Sequence, residues 1–221
     1  MPARIVPDGP PGREDAIATL AGGGLIAFPT DTVYGIGVAP ATERGVERLF
    51  AAKDRPPDRA IVLLLADVAQ AAAIATLTPA GAALAAAFWP GGLTIVLPRR
   101  RDGAFRLALT TDPAATPPDT IGLRVPDHPA PRSIARALGA LPTTSANRSG
   151  EPEARDAAEI QAQLGASLDL ILDAGPAPGG PPSSVVDATT DTVTILRHGA
   201  VSDAEIARVL RAAGLPEPVG R

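Results

Sequence analysis

Short unbroken apolar runs alternate along this chain with longer stretches in which apolar residues recur every three or four positions. The first pattern predicts buried strands and the second amphipathic helices. Arg13–Leu20 reads as a helix closed by Gly22-Gly23-Gly24, since glycine accepts the left-handed conformation that ends a helix. Leu25–Phe28 is a strand stopped by Pro29, which has no N–H for a ladder. A loop over Thr30–Gly37 follows, and Thr42 is the expected N-cap of a helix reaching Ala52, with Val46, Leu49 and Phe50 facing inward. Ala60–Leu65 is the strongest strand candidate. Its lack of alternation predicts cover on both faces.

Ala66–Phe88 reads as two alanine-rich helices, opened by Asp67 and by Thr78-Pro79. Asp67, Gln70, Pro79 and Gly81 interrupt it, so it is not a membrane span. Trp89-Pro90-Gly91-Gly92 is a turn, and Leu93–Leu97 is a strand that ends at Pro98 and Arg99-Arg100-Arg101. Phe105–Leu109 is a further strand candidate, and Thr110–Asp119 an ordered loop. Ile121–Val125 is a strand that carries Arg124. Pro131–Leu138 is a helix closed by Gly139, and Leu141–Ser145 a strand running into a polar loop. Asp156 caps a helix to Leu164, with Glu159 completing a variant capping box. Leu168–Leu172 is a strand, and Ser184–Ala188 and Thr192–Leu196 form a hairpin across Thr190-Asp191. Ser202-Asp203-Ala204-Glu205 is a capping box for the last helix, which ends at Gly214.

This alternation predicts an α/β fold. The hairpin forces an antiparallel pair, so the sheet is expected to be open, twisted and mixed, with flanking helices. Ligands in open α/β sheets lie beyond strand ends, which is where the hydroxyl-rich loops fall here. No repeat and no separating linker is visible, so one domain over residues 1–221 is expected, with its core at about residues 13–214.

Composition narrows the chemistry. The 221 residues carry a formal charge of −4, which argues against a protein devoted to neutralising nucleic-acid phosphates. The absence of cysteine excludes disulfides, thiolate nucleophiles and iron–sulfur clusters. Met1-Pro2-Ala3-Arg4 lacks the apolar run of a signal peptide, so a cytoplasmic location is expected.

The candidate chemistry lies in three hydroxyl-rich segments. Phe28-Pro29-Thr30-Asp31-Thr32-Val33-Tyr34-Gly35-Ile36-Gly37 is followed by Lys53-Asp54-Arg55-Pro56. Thr143-Thr144-Ser145-Ala146-Asn147 is the second segment, and Ser183-Ser184 with Arg197 the third. Each has a plain structural reading. Cations suit a helix C-terminus, and Lys53 and Arg55 read as lying on an exposed helix end. An arginine in an apolar strand, such as Arg124, is either paired or aimed at a ligand. Ser, Thr and Asn also build turns. Taken together, four cations and three such loops favour one cationic cleft for an anionic ligand, because guanidinium groups match carboxylate and phosphate in bidentate fashion. His128 and His198 have no evident orienting partners in the sequence, which disfavours a serine triad and a histidine metal site. Neither GxxxxGK[ST] nor GxGxxG after a strand is present.

The runs GGLIAFPTDTVYGIG from Gly23, KDRPPDRAIVLLL from Lys53, FWPGGLTIVL from Phe88, TIGLRVPDHP from Thr120, TTSANRSGEP from Thr143 and SSVVDATTDTVTILRHGAVS from Ser183 resemble, in order, the YrdC-like L-threonylcarbamoyladenylate synthases in their short, single-domain form. The resemblance implies a concave cationic cleft on a mixed sheet. It also implies the conversion of L-threonine, bicarbonate and ATP to threonylcarbamoyl-AMP and pyrophosphate, for tRNA threonylcarbamoyladenosine modification by a separate transferase complex. Magnesium would arrive with ATP, no protein-held metal is expected, and tRNA contact is a further implied partner. Carried onto this sequence, Lys53 and Arg55 are the catalytic cations. Thr32, Arg124, Thr143 and Ser183 would hold L-threonine. Arg55, Arg59, Thr120, Ser145 and Arg197 would hold ATP, and Tyr34 and Asn147 would shape the pocket. Leu64 stands where longer members carry histidine, Glu153 where a small hydroxyl residue is common, and Arg197-His198-Gly199 where Arg-Pro-Gly is common. Two alternatives are a non-catalytic RNA-binding module, disfavoured by few aromatics for base stacking, and the carbamoyl transfer of hydrogenase maturation, whose cysteine zinc fingers are absent here.

Overall fold

The computed structural model describes residues 2–54, 61–100 and 119–220. The expected strand at Phe105–Leu109 and nearly all of the loop after it lie outside these residues. The elements run β1 (Arg4–Pro7), α1 (Pro10–Ala21), β2 (Leu25–Phe28), β3 (Gly35–Val38), α2 (Gly45–Ala52), β4 (Val62–Leu64), α3 (Val68–Ile74), α4 (Pro79–Phe88) and β5 (Leu93–Pro98). After the second gap come β6 (Thr120–Arg124), α5 (Pro129–Leu138), β7 (Leu141–Ser145), α6 (Ala157–Leu164), β8 (Leu170–Asp173), β9 (Ser184–Asp187), β10 (Thr194–Arg197), α7 (Asp203–Ala212) and β11 (Val219–Gly220).

All described strands join one mixed sheet in the order β1-β8-β2-β3-β7-β4-β6-β5-β9-β10-β11. The β9–β10 pair is antiparallel across its turn, as expected. Most caps also fall where the sequence places them. Asp67, Thr78, Asp156 and Ser202 each accept a backbone N–H in the first turn of their helices. The box at Ser202 is reciprocal, whereas Glu159 bonds Arg155 N instead of its own N-cap. Thr42 is not a cap: α2 starts later, with Arg44 at its N-cap in a left-handed conformation.

Strand alternation sends successive side chains to opposite faces. On one face, Ile36, Leu63, Ile95, Leu123, Ile171 and Val186 bury against Leu49 of α2, Ile74 of α3, Leu84 of α4, Ile160 of α6 and Ile206 of α7. On the other, Ile26, Phe28, Leu141, Leu170 and Leu172 bury against Ala16 and Leu20 of α1 and Ala130 and Ile134 of α5. These two helices roof only part of that face. Register places Gly35 opposite Ser145, Val62 opposite both Thr143 and Gly122, and Leu64 opposite Arg124, all on the same face, with Leu64 and Val62 at the edge of the helical roof and the others beyond it. β4 is therefore covered on both faces, by Leu63 on one side and by Leu64 on the other, as its unbroken apolar run predicts, and only half-buried Val62 opens toward the bare floor.

The strand β3 occupies residues expected to be loop. Its Gly-Ile-Gly-Val composition is poor for a strand, and the reason lies across the ladder. A Cβ on Gly35 would stand 3.2 Å from Phe28 Cε2, and one on Gly37 would stand 3.0 Å from Phe28 Cε1. The Phe28 ring lies against both glycines, and a side chain at either would have to displace it by a few tenths of an ångström.

His128 caps α5, its Nδ1 accepting the backbone N–H of Ala130 at 3.2 Å. Burial holds this half-buried imidazole below its ordinary value, opposed most by the charge of Asp8 and reinforced by Arg13, with Asp31 and Asp127 acting in the same sense as Asp8. A depressed histidine pKa favours the neutral form in the folded state. The associated stability is fully present above the unfolded value near 6.5 and is lost as pH falls through the lower folded value. Protonation would also remove the acceptor. His128→Asn keeps a capping acceptor but cannot titrate. Thermal melts at neutral pH and near pH 5 are expected to lie closer together in His128→Asn than in the parent.

Candidate active site

The unroofed part of the sheet is the floor of a cleft of about 470 Å³, within the size range of small-molecule sites. The floor is Gly35, Val62, Leu64, Thr94, Thr143 and Ser145, and loops from four directions make its walls. The site thus lies on a sheet face, walled by the loops that follow β2 and β7, and not wholly beyond the strand ends.

The loop between β2 and β3 is held by Thr30. Its Oγ1 donates to Val33 O at 2.6 Å and accepts Thr32 N–H at 3.1 Å, which sets the Thr32 hydroxyl 3.2 Å from it. Both threonines are buried and line the cleft. Tyr34 closes the loop. Its ring is 1 % exposed, its hydroxyl donates to Gly175 O at 2.6 Å and it accepts Ala174 N–H at 3.0 Å. Burial raises its pKa, so the phenol stays neutral as a strut between two loops.

Lys53 is the C-cap of α2, where the helix dipole favours a cation. It is not on an exposed helix end, as the sequence suggested: only 3 % of it is accessible. Its Nζ donates to Ser145 O, to Ser145 Oγ at 3.2 Å and to Asn147 Oδ1 at 3.0 Å. Asn147 Nδ2 donates to Glu151 O at 2.7 Å and Arg148 O at 3.0 Å, which orients the amide oxygen toward the lysine. Ser145 Oγ donates to the same amide oxygen at 2.6 Å. The ammonium is thereby fixed in the wall as a positive charge behind two polar side chains.

Arg124 rises from the floor at the end of β6, 5 % exposed. Nε donates to Gly91 O at 2.9 Å, Nη1 to Thr32 Oγ1 at 3.0 Å and Nη2 to Asp31 Oδ1 at 2.6 Å. Burial lowers its pKa most, and nearby Arg197 lowers it further; the Asp31 carboxylate opposes both. Arg197, at the end of β10, grips Ser183 O through Nε at 3.0 Å and Nη2 at 2.7 Å, with Ser183 Oγ at 3.1 Å. The residue keeps an exposed outer edge. Its guanidinium is enclosed enough that burial lowers its pKa, against the opposing charge of Glu153. Ser183 Oγ also meets Thr94 Oγ1 at 2.9 Å.

Thr32, Tyr34, Lys53, Arg124, Thr143, Ser145, Asn147, Ser183 and Arg197 therefore share one cleft, as the sequence suggested. Thr120 does not line it. That residue is exposed at the opposite end of β6, paired with Pro98, roughly 13 Å of strand from Arg124. Arg55 and Arg59 lie outside the described residues. Sequence reasoning missed Thr94, whose signal is a lone hydroxyl in an apolar strand, and Asp31, the partner of Arg124. No group of three or more His, Cys, Asp or Glu side chains gathers to hold a metal among the described residues. The donor set suits oxyanions, and a magnesium ion could take its ligands from phosphate and water.

The arrangement can neutralise two anionic groups at once, with hydroxyls and amides to orient them. No helix among the described residues is long and apolar enough to cross a membrane. The Sua5/YciO/YrdC family model, described as "Telomere recombination", matches residues 18–199. The chain is 32 % identical over 198 residues to a threonylcarbamoyl-AMP synthase of Bacillus subtilis, covering 88 % of this chain but 55 % of that protein. It is 34 % identical over 190 residues to a threonylcarbamoyl-AMP synthase of Vibrio vulnificus, covering 84 % of this chain and 97 % of that protein. The structure of P. abyssi Sua5 complexed with L-threonine superposes with a TM-score of 0.84 at 28 % identity, over all of this chain and 63 % of that one. The chain therefore spans little more than half of some relatives and nearly the whole of others. A match over most of the chain, together with relatives above 30 % identity, places it in a family: this protein belongs to the Sua5/YciO/YrdC family.

Proposed function

We propose that the cleft condenses L-threonine, bicarbonate and ATP into threonylcarbamoyl-AMP, pyrophosphate and water. The observation that carries this reading is the convergence of Lys53, Arg124 and Arg197, from three separate elements, on one hydroxyl-lined floor. Curated relatives that are threonylcarbamoyl-AMP synthases support it.

In this reaction the threonine amine forms an N–C bond with carbon dioxide released from bicarbonate. A carbamate oxygen then attacks the α-phosphorus, and the bond to the β-phosphate bridge breaks. Arg124 receives the threonine carboxylate, with Thr32 and Thr143 beside it. Arg197 and Ser183 bound the opposite wall, where Arg197 meets phosphate. Lys53 supplies fixed positive charge near the carbamate and the α-phosphate. No titrating base stands in the described wall beyond Glu153. Catalysis then rests on orientation and charge neutralisation, for which orientation alone reaches about 7–11 kcal/mol in favourable cases. Magnesium, if present, arrives on the triphosphate. The product is passed to a separate transferase that modifies tRNA adenosine, in the cytoplasm where these substrates are found.

Purified protein incubated with ATP, L-threonine and bicarbonate should release pyrophosphate and yield the adenylate by mass spectrometry. Omission of either threonine or bicarbonate should abolish both. Pyrophosphate release that ignores threonine would rule the reading out.

A further inference from the structure

Among the described residues, Asp31 is the one acidic partner of the most deeply set guanidinium in the cleft. Its carboxylate stands 2.6 Å from Arg124 Nη2, and the two side chains are 16 % and 6 % exposed. Yet Asp31 does not line the cleft, while Thr30 and Thr32 on either side of it do. The carboxylate thus bonds the guanidinium without itself bordering the space where a ligand would sit.

A free arginine side chain explores many rotamers and loses that freedom when it is fixed on a ligand. Arg124 is already fixed at all three nitrogens, by Gly91 O, Thr32 Oγ1 and Asp31 Oδ1. A guanidinium has five N–H groups. Three bonds leave one on each terminal nitrogen, a pair suited to the two oxygens of a carboxylate. Thr32 shares its oxygen with Thr30, and Gly91 offers a neutral carbonyl, so Asp31 supplies the charged anchor of the three. It also opposes both influences that disfavour the cation at this position, burial and the charge of Arg197.

We propose that Asp31 is a positioning residue: from outside the cleft it fixes the plane of Arg124, so that the two remaining N–H groups are held ready for the carboxylate of an amino-acid substrate. This inference rests on the reading of the cleft as an amino-acid and nucleotide site, and it predicts a selective defect. Without Asp31 the guanidinium loses its charged anchor and can swing away from Arg197 toward solvent. Amino-acid capture then suffers, while contacts to the nucleotide through Lys53 and Arg197 persist.

The test is L-threonine binding by titration calorimetry together with steady-state kinetics, for the parent, Asp31→Ala and Asp31→Asn, with thermal melts on each. In Asp31→Ala the dissociation constant and KM for L-threonine are expected to rise roughly tenfold, about 1.4 kcal/mol, with KM for ATP unchanged. Asp31→Asn keeps an acceptor without the charge, so it should fall between the two and serves if the alanine variant does not fold. A merely structural role would shift both KM values together, and that outcome overturns the inference. Unchanged threonine binding in a folded Asp31→Ala or Asp31→Asn protein overturns it as well, leaving the proposed reaction standing. Failure of the parent to bind L-threonine at all would overturn the inference and the reading beneath it.

Discussion

Lys53→Ala is expected to lower the rate of threonylcarbamoyl-AMP formation by about 100-fold or more, the range seen when one preorganised electrostatic donor is removed. The lysine is buried, and its charge is held in place by Ser145 and Asn147. Burial brings a second consequence. Truncation leaves Ser145 O and Asn147 Oδ1 short of a donor, at a cost of about 1–3 kcal/mol. Activity should therefore be measured well below the melting temperature of the variant. Lys53→Met, which keeps the aliphatic stem, should melt closer to the parent and be equally inactive. Pyrophosphate release at parental rate by either folded variant would show that the charge of Lys53 is not used.

A large stability effect is expected at Gly199. A Cβ there would stand 2.3 Å from Pro182 O, 2.6 Å from Ser183 C and 2.6 Å from Ser184 N. All three are backbone atoms of the segment entering β9, so no flexible side chain can yield. The Ala200 N–H bond to Pro182 O at 2.9 Å ties the two segments together from the next residue. Gly199→Ala must push them apart, at about 3 kcal/mol, the upper end of ordinary overpacking costs. For a chain of this size that corresponds to roughly 6–12 °C in melting temperature. The same displacement would loosen the Arg197 grip on Ser183 O, so the variant should also lose activity at temperatures where it remains folded. A melting temperature equal to that of the parent would mean that the segment relaxes without strain.

Much of this molecule was legible in local pattern. The strand Leu93–Leu97 and the helices behind Asp67, Thr78, Asp156 and Ser202 announce themselves, because cap chemistry and continuous apolar runs act over a few residues. Part of the membership of the cleft was also readable, since hydroxyls after strands and isolated cations are local signals. What failed depends on neighbours distant in sequence. β3 reads as loop because its glycines serve the Phe28 ring across the ladder. Lys53 reads as an exposed helix end because the loop that buries it, around Ser145 and Asn147, comes more than ninety residues later. Thr120 shares a strand with Arg124, but only the register shows that it lies at the far end from the site. The position of the cleft on a sheet face follows from where α1 and α5 stop covering it, which no single segment encodes.

The floor beneath the cleft is made of interior strands, hydrogen-bonded to neighbours on both edges. Such a surface cannot flex without breaking two ladders, so substrates should meet a rigid template, and any adjustment on ligand capture should be confined to the surrounding loops. Amide exchange of β4 and β7 is then expected to change little on addition of L-threonine and ATP, while the segments carrying Thr32 and Asn147 slow.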